Sequence, residues 1–255
     1  MPDFPDFAPD GASAAAGFIV DLDGTLITGR SLMPHAVGLL ERLRGRFVIV
    51  SNDGEHVPAQ VGRMLSDLGL PVPAERIVLA GTETLDLIAA ERPGAGILLL
   101  GSDALRAYAH DIGLRLAGNE PEVVVVGRDR RFSYARLTVA VNAVRAGAEL
   151  IATNADHTHP GPDGSVVPET GALLAAILHC VGSAPHRVIG KPEPALFTKA
   201  LRILDVPAAS VAVIGDNPTT DGIGAQRLGM RYIEVRNGRL AAAPVHSRAP
   251  MLRVS

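Results

Sequence analysis

The chain has 255 residues, with 24 basic and 27 acidic side chains giving a net charge of −3, and is 47% hydrophobic, enough for one large domain or two modest ones. No long block of one sign recommends nucleic acid or an anionic membrane as partner, and the longest apolar runs fall far short of the roughly 20 residues of a spanning helix. The single cysteine, Cys180, excludes an intrachain disulfide and agrees with a soluble, cytoplasmic protein.

Residues 1–16 carry Asp3, Asp6 and Asp10 among prolines with no basic n-region, and read as a flexible tail, not a secretory signal. Phe18-Ile19-Val20 follows as a strand buried on both faces, because a β-favouring run bounded by Gly17 and Asp21 suits the centre of a parallel sheet. It stops at Asp21-Leu22-Asp23-Gly24-Thr25, at the carboxyl end where open α/β sheets bind ligands. A carboxylate there is ionised at neutral pH and attacks phosphorus without a base, so Asp21 is the candidate nucleophile. The competing reading is an ordinary solvated turn.

A helix over Pro34–Arg44, with Val37, Leu40 and Leu43 as its stripe, leads to a strand Phe47–Val50 ending at Ser51-Asn52-Asp53. A right-handed crossover puts Ser51 on the same sheet edge as Asp21, where its hydroxyl serves an anion or caps the following helix (Val57, Val61, Leu65, Leu68). From residue 71 to 185 the alternation continues without acidic strand ends: helices at 82–90, 103–110, 133–145 and 171–181, strands at 97–100, 123–126 and 150–153. This stretch reads as a smaller α/β unit inserted into the first. Asp156, His157 and His159 lie on one of its Pro/Gly-rich loops, a substrate-facing or solvated turn more than a metal cluster, and Cys180 reads as helix packing. The first unit resumes with a strand at Val188-Ile189-Gly190 ending at Lys191, a helix Pro194–Leu204, a strand Val211–Ile214 ending at Gly215-Asp216, then Asp221, a short helix and a strand Tyr232–Val235. Gly222-x-Gly224 lacks the order of a dinucleotide fingerprint.

Four strands thus end in Asp21/Asp23, Ser51, Lys191 and Asp216/Asp221, a set suited to phosphoryl transfer, which depends on positioning and on neutralising charge on the transferring oxygens. Asp21 and Asp216 are the candidate ligands for Mg²⁺, a hard cation that prefers oxygen. Together with the stretches Val126-Gly127-Arg128-Asp129, Ala152-Thr153-Asn154-Ala155-Asp156 and Thr170-Gly171-Ala172, this set resembles the haloacid dehalogenase (HAD) superfamily, phosphatase branch, over residues 17–238. The inserted unit is similar to the cap of the subfamily containing 4-nitrophenyl, pyridoxal phosphate and nucleotide phosphatases.

The resemblance implies a Rossmann-like parallel-sheet core (17–70 and 186–238), a smaller α/β cap (71–185) and a tail at 239–255. It implies that Asp21 attacks phosphorus, that Asp23 protonates the leaving oxygen and then activates water, and that the Asp23 carbonyl joins the metal. Ser51 and the Asn52 N–H would grip phosphate, Lys191 would offset charge, and Asp221 would support the metal shell. Cap residues Asp156, His157, His159 and Glu169 would choose the leaving group. The implied substrate is a small phosphorylated metabolite, and the resemblance leaves room for a homodimer through the cap. Glu169 stands where the subfamily has glycine, and Ser51-Asn52-Asp53 where it has Thr-Asn-Asn. Rival readings are a phosphoacceptor signalling domain or a binding protein on the same scaffold; an acid two residues after the nucleophile serves turnover and favours the enzyme.

Overall fold

The computed structural model describes residues 15–118, 120–160, 165–182, 184–236 and 239–240. Its first unit is a six-stranded sheet in the order β15-β14-β13-β1-β4-β5, built from β1 (Gly17–Val20), β4 (Phe47–Ser51), β5 (Ile77–Leu79), β13 (Val211–Gly215), β14 (Arg231–Arg236) and β15 (Arg239–Leu240). Every pairing is parallel except that of β14 with β15. A hairpin of β2 (Ile27–Thr28) and β3 (Ser31–Leu32), then α1 (Ala36–Leu43), joins β1 to β4, and α2 (Pro58–Asp67) joins β4 to β5. The strands β1, β4 and β13 are buried along their whole length, as their continuous apolar runs require. On one face Phe18, Val20, Ile49 and Ile214 pack with Leu39 and Leu43 of α1 and Leu65 of α2. Val37 is 40% exposed, whereas Ala36, Leu39, Leu40 and Leu43 are buried, so the apolar stripe lies one residue to the side of the expected one. The cause is Ala36, a small residue that packs as part of the stripe.

The second unit is a five-stranded parallel sheet in the order β12-β9-β8-β6-β7. Its elements are α3 (Ala80–Glu91), β6 (Gly96–Leu100), α4 (Asp103–Asp111), β7 (Arg115–Leu116), β8 (Val123–Val126), α5 (Tyr134–Arg145), β9 (Glu149–Ala152), a hairpin of β10 (Thr158–Pro160) and β11 (Val166–Pro168), α6 (Thr170–Val181) and β12 (His186–Val188). By sheet membership the exchange points fall after Leu79 and after Val188, not at residues 71 and 185. Ile77-Val78-Leu79 is too short a run to stand out between two helices, and β12 completes the cap sheet by pairing with β9. Lys191 therefore ends no core strand; it lies in the link between β12 and α7 (Pro194–Leu204).

One apolar cluster runs through both units, joining Ile19, Val48 and Val213 of the core sheet to Leu85 of α3, Phe197 of α7, and Leu99, Val125 and Ile151 of the cap sheet. Gly224, in α8 (Ile223–Arg227), touches this cluster: a Cβ there would lie 2.2 Å from Phe197, which is the reason for the glycine. The outer face of the cap sheet packs Ala140 of α5 and Leu174 and Ile177 of α6. Cys180, on α6, is exposed and not packed as expected. Of the expected N-terminal tail, Ala15 is buried and Ala16 donates its N–H to Ser210, while residues 1–14 lie outside the described residues. Arg239–Leu240 pairs with β14, and residues 241–255 also lie outside them. Among the described residues no helix is long and apolar enough to cross a membrane.

Candidate active site

Strand order reverses at β1, whose neighbours β4 and β13 lead away on opposite sides. Such a switch point opens a crevice at the carboxyl edge, and the residues just past β1, β4 and β13 are Asp21, Asn52 and Asp216. Lys191 enters from the link with its side chain 4% exposed. Its Nζ donates to Asp21 Oδ1 at 2.6 Å, to Asp221 Oδ1 at 2.7 Å and to the Val50 carbonyl at 3.1 Å. Burial works against the ammonium charge, but Asp21 and Asp221 outweigh it and hold the pKa above the usual lysine range. The other Asp21 oxygen, Oδ2, accepts from the Thr25 hydroxyl at 3.0 Å. Both oxygens are thus fixed, and Asp21 is buried.

One oxygen each of Asp21, Asp216 and Asp221 lies within 4.8 Å of the others. Three carboxylates face one buried ammonium, and Asp221 Oδ2 is buried with no hydrogen-bond partner. Partial desolvation and the charge of Asp21 push Asp216 up to about 6; burial likewise raises Asp221, against the pull of Lys191. An all-oxygen, over-negative cluster with an orphaned buried oxygen fits a hard divalent cation such as Mg²⁺. The close approach of these groups depends on Gly24, whose φ is +81° and whose Cβ, if present, would stand 2.1 Å from Asp216 Oδ2. Gly29 also has positive φ (+58°) but has open space around it. Gly29→Ala is therefore expected to cost only backbone strain, about 1–2 kcal/mol, with activity kept. Gly24→Ala pays the same strain and also displaces Asp216, so activity should fall at least about tenfold where Gly29→Ala keeps it. Melting temperature and turnover of the two variants, measured side by side, check this.

Asp23 stands at the mouth. Loss of surrounding water, then the charges of Asp21 and Asp53, push its pKa up to about 7. Ser51 Oγ donates to Asp23 Oδ2 at 3.5 Å and accepts the Asp53 N–H at 3.1 Å; it caps no helix, since α2 begins at Pro58. Asp53 in turn binds His56 Nδ1 at 2.7 Å. Against the cost of burial, that imidazole holds the Asp53 carboxyl below its ordinary range.

The loop after β4 reaches into the cap. Gly54 accepts the Arg128 N–H at 3.0 Å, Glu55 accepts from the Ser102 hydroxyl, and the Asn52 carbonyl accepts from Asn154 Nδ2 at 2.7 Å. Ser102, Arg128 and Asn154 follow β6, β8 and β9, so the carboxyl edge of the cap sheet is met by a core loop. Of the four expected cap residues, Asp156 is brought to the site, accepting from Asn52 Nδ2 at 3.0 Å. His157 is exposed, its carbonyl accepting the Glu169 N–H. His159 and Glu169 pair with each other at 2.6 Å, and Glu169 and Glu55 each reach Arg128 at 3.3 Å. Glu169, where the resembled pattern has glycine, thus answers Arg128, and the core contributes Glu55. Sequence reasoning missed Glu55 and the salt-bridging role of Arg128; an unexpected acid at 169 with a basic strand end at 128 was the available signal.

Residues 18–115 match the model of the haloacid dehalogenase-like hydrolases, and residues 188–252 match a HAD-hydrolase-like model. The dihydroxyacetone phosphatase of Corynebacterium glutamicum is 31% identical over 87% of this chain and 81% of its own length. The chain belongs to the haloacid dehalogenase-like hydrolase family, in its phosphatase branch. It is also similar to the acid sugar phosphatase of Staphylococcus aureus, 32% identical over 87% of this chain and 86% of that one. Among solved structures it resembles a glycerol phosphate phosphatase of Mycobacterium tuberculosis in complex with magnesium, with a TM-score of 0.81 and 33% identity over 90% of this chain and 69% of that one.

Proposed function

We propose that this protein is a Mg²⁺-dependent phosphomonoesterase of small phosphorylated metabolites that works through an aspartyl phosphate on Asp21. The observation that carries the reading is the buried contact of Lys191 with Asp21 and Asp221, at 2.6 and 2.7 Å, beside a third carboxylate. Asp21 and Asp216, with the Asp23 carbonyl, are the groups to hold the cation, and Asp221 supports them. Bound there, the cation offsets carboxylate and phosphate charge and polarises the phosphoryl oxygens.

The chain's own groups do the rest. Asp21, fixed through both oxygens by Lys191 and Thr25, forms an oxygen–phosphorus bond as the ester bond breaks. Lys191 balances charge on the transferring oxygens, and the Ser51 hydroxyl donates to one of them. Asp23, whose carboxyl is pushed up to about 7, gives its proton to the departing alcohol oxygen. As a carboxylate it then takes a proton from the water that attacks phosphorus, which frees phosphate and restores Asp21.

The relatives' names direct the substrate search to dihydroxyacetone phosphate, glycerol phosphate and sugar phosphates, beside pyridoxal phosphate and nucleoside monophosphates. Phosphate release from 4-nitrophenyl phosphate is expected with Mg²⁺ and is expected to vanish in chelator, because bare Asp21, Asp216 and Asp221 repel a phosphate dianion. Undiminished turnover by metal-free protein would refute the cation's part. No release from any ester of the panel would refute the function.

A further inference from the structure

Asp156 belongs to the cap, yet its carboxylate touches the core: Oδ2 accepts from Asn52 Nδ2 at 3.0 Å. The same Asn52 amide grips the main chain of Lys191 from both sides, Oδ1 accepting the Lys191 N–H at 2.7 Å and Nδ2 donating to the Lys191 carbonyl at 3.1 Å. Both Nδ2 hydrogens are thereby used, one on Lys191 and one on Asp156. From these contacts we infer that Asp156 is a positioning residue for the phosphoryl transfer, acting through Asn52 on Lys191, and not a selector of the leaving group. The inference rests on the phosphatase reading above.

The chemistry of the amide explains why an acceptor is needed at position 156. An asparagine turned by 180° would set its oxygen against the Lys191 carbonyl and its NH₂ against the Lys191 N–H, losing both bonds. An ionised carboxylate only accepts, so it tolerates Nδ2 alone and selects the orientation that holds Lys191. Asp156 is itself held: its N–H donates to Asn154 Oδ1 at 3.0 Å, its carbonyl accepts from Gly171, and Asn154 Nδ2 binds the Asn52 carbonyl at 2.7 Å. Space is equally closed on the other side, where a Cβ on Gly190 would lie 2.6 Å from Asn52 Oδ1 and 2.6 Å from the Thr153 carbonyl. The link that carries Lys191 belongs to no core strand; it is thus aligned by Asn52, which the cap's Asp156 orients. Small displacements of a group aimed at a transition state are costly, so turnover of every substrate should depend on Asp156.

The test uses the full chain with Asp156→Ala, Asp156→Asn, Asn52→Ala and the double variant, assayed on 4-nitrophenyl phosphate, glycerol phosphate and a hexose phosphate. Asp156→Ala should lower kcat about tenfold to a hundredfold on all three esters alike, with KM within about twofold. Asp156→Asn, whose amide oxygen still accepts, should recover most of it. In the Asn52→Ala background Asp156→Ala should change kcat by less than about twofold, because its only route is gone. A changed ranking of the esters, or full additivity in the double variant, would overturn the inference. Hydrogen exchange at the Lys191 amide supplies a readout free of catalysis: it should quicken in Asp156→Ala and stay slow in Asp156→Asn. Unchanged exchange in Asp156→Ala would also overturn the inference. If the alanine variant fails to fold, Asp156→Ser, too short to reach Asn52, takes its place under the same criteria. A wild-type protein that hydrolyses nothing refutes the phosphatase reading, while exchange still decides the clamp.

Discussion

Asp21→Asn is expected to abolish phosphate release from every ester, a loss of at least about four orders of magnitude. An amide oxygen is a poor nucleophile, and the NH₂ group removes one candidate ligand of the cation. The fold should survive, for a local reason. Asp21 accepts from Lys191 on one oxygen and from Thr25 on the other; the asparagine oxygen can keep the lysine while its NH₂ donates to the threonine hydroxyl, which also accepts. A circular dichroism spectrum like that of the wild type, with turnover gone, checks the pair of claims. Residual turnover above about one per cent would assign the attack to another group.

Lys191→Ala should cost both rate and stability. Losing a charge aimed at the transferring oxygens lowers kcat by about two to three orders of magnitude. The buried ammonium also answers Asp21 and Asp221, and taking one partner from a buried ion pair costs about 3–5 kcal/mol. Mg²⁺ should raise the melting temperature of Lys191→Ala more than that of the wild type, because a cation then meets carboxylates with no competing ammonium. Thermal melts of both proteins with and without Mg²⁺ check this, and equal shifts would count against Asp21 and Asp216 as the groups that hold the cation.

The core motifs were legible because each sits where a continuous apolar run meets polar residues: Phe18–Val20 before Asp21, Phe47–Val50 before Ser51, Val211–Ile214 before Asp216. A strand's carboxyl end follows from that pattern. Lys191 reaches the site from a link and not from a core strand end, since the residues before it pair with β9 in the cap and a strand's sheet cannot be read from the strand's own sequence. The three-residue β5 was missed for lack of length, and with it the first exchange point between the units. The reach of Asp53–Glu55 into the cap was not legible, because it depends on carbonyls meeting Arg128 and Ser102 across about 50 to 75 residues of chain. Pairs such as Asn52 with Asp156 leave no local periodicity.

The proposed function turns on phosphorylation of Asp21, and trapping that bond examines it without intermediaries. A phosphate ester is mixed with the Mg²⁺-loaded protein, quenched in acid within the first turnover, and treated with borohydride, which reduces an acyl phosphate to an alcohol. The reduced chain, digested and read by mass spectrometry, should carry homoserine at position 21 and nowhere else, and none when Asp21→Asn is treated in the same way. Modification at a different carboxylate, or phosphate released at the full rate while position 21 remains aspartate at every quench time, would contradict the account.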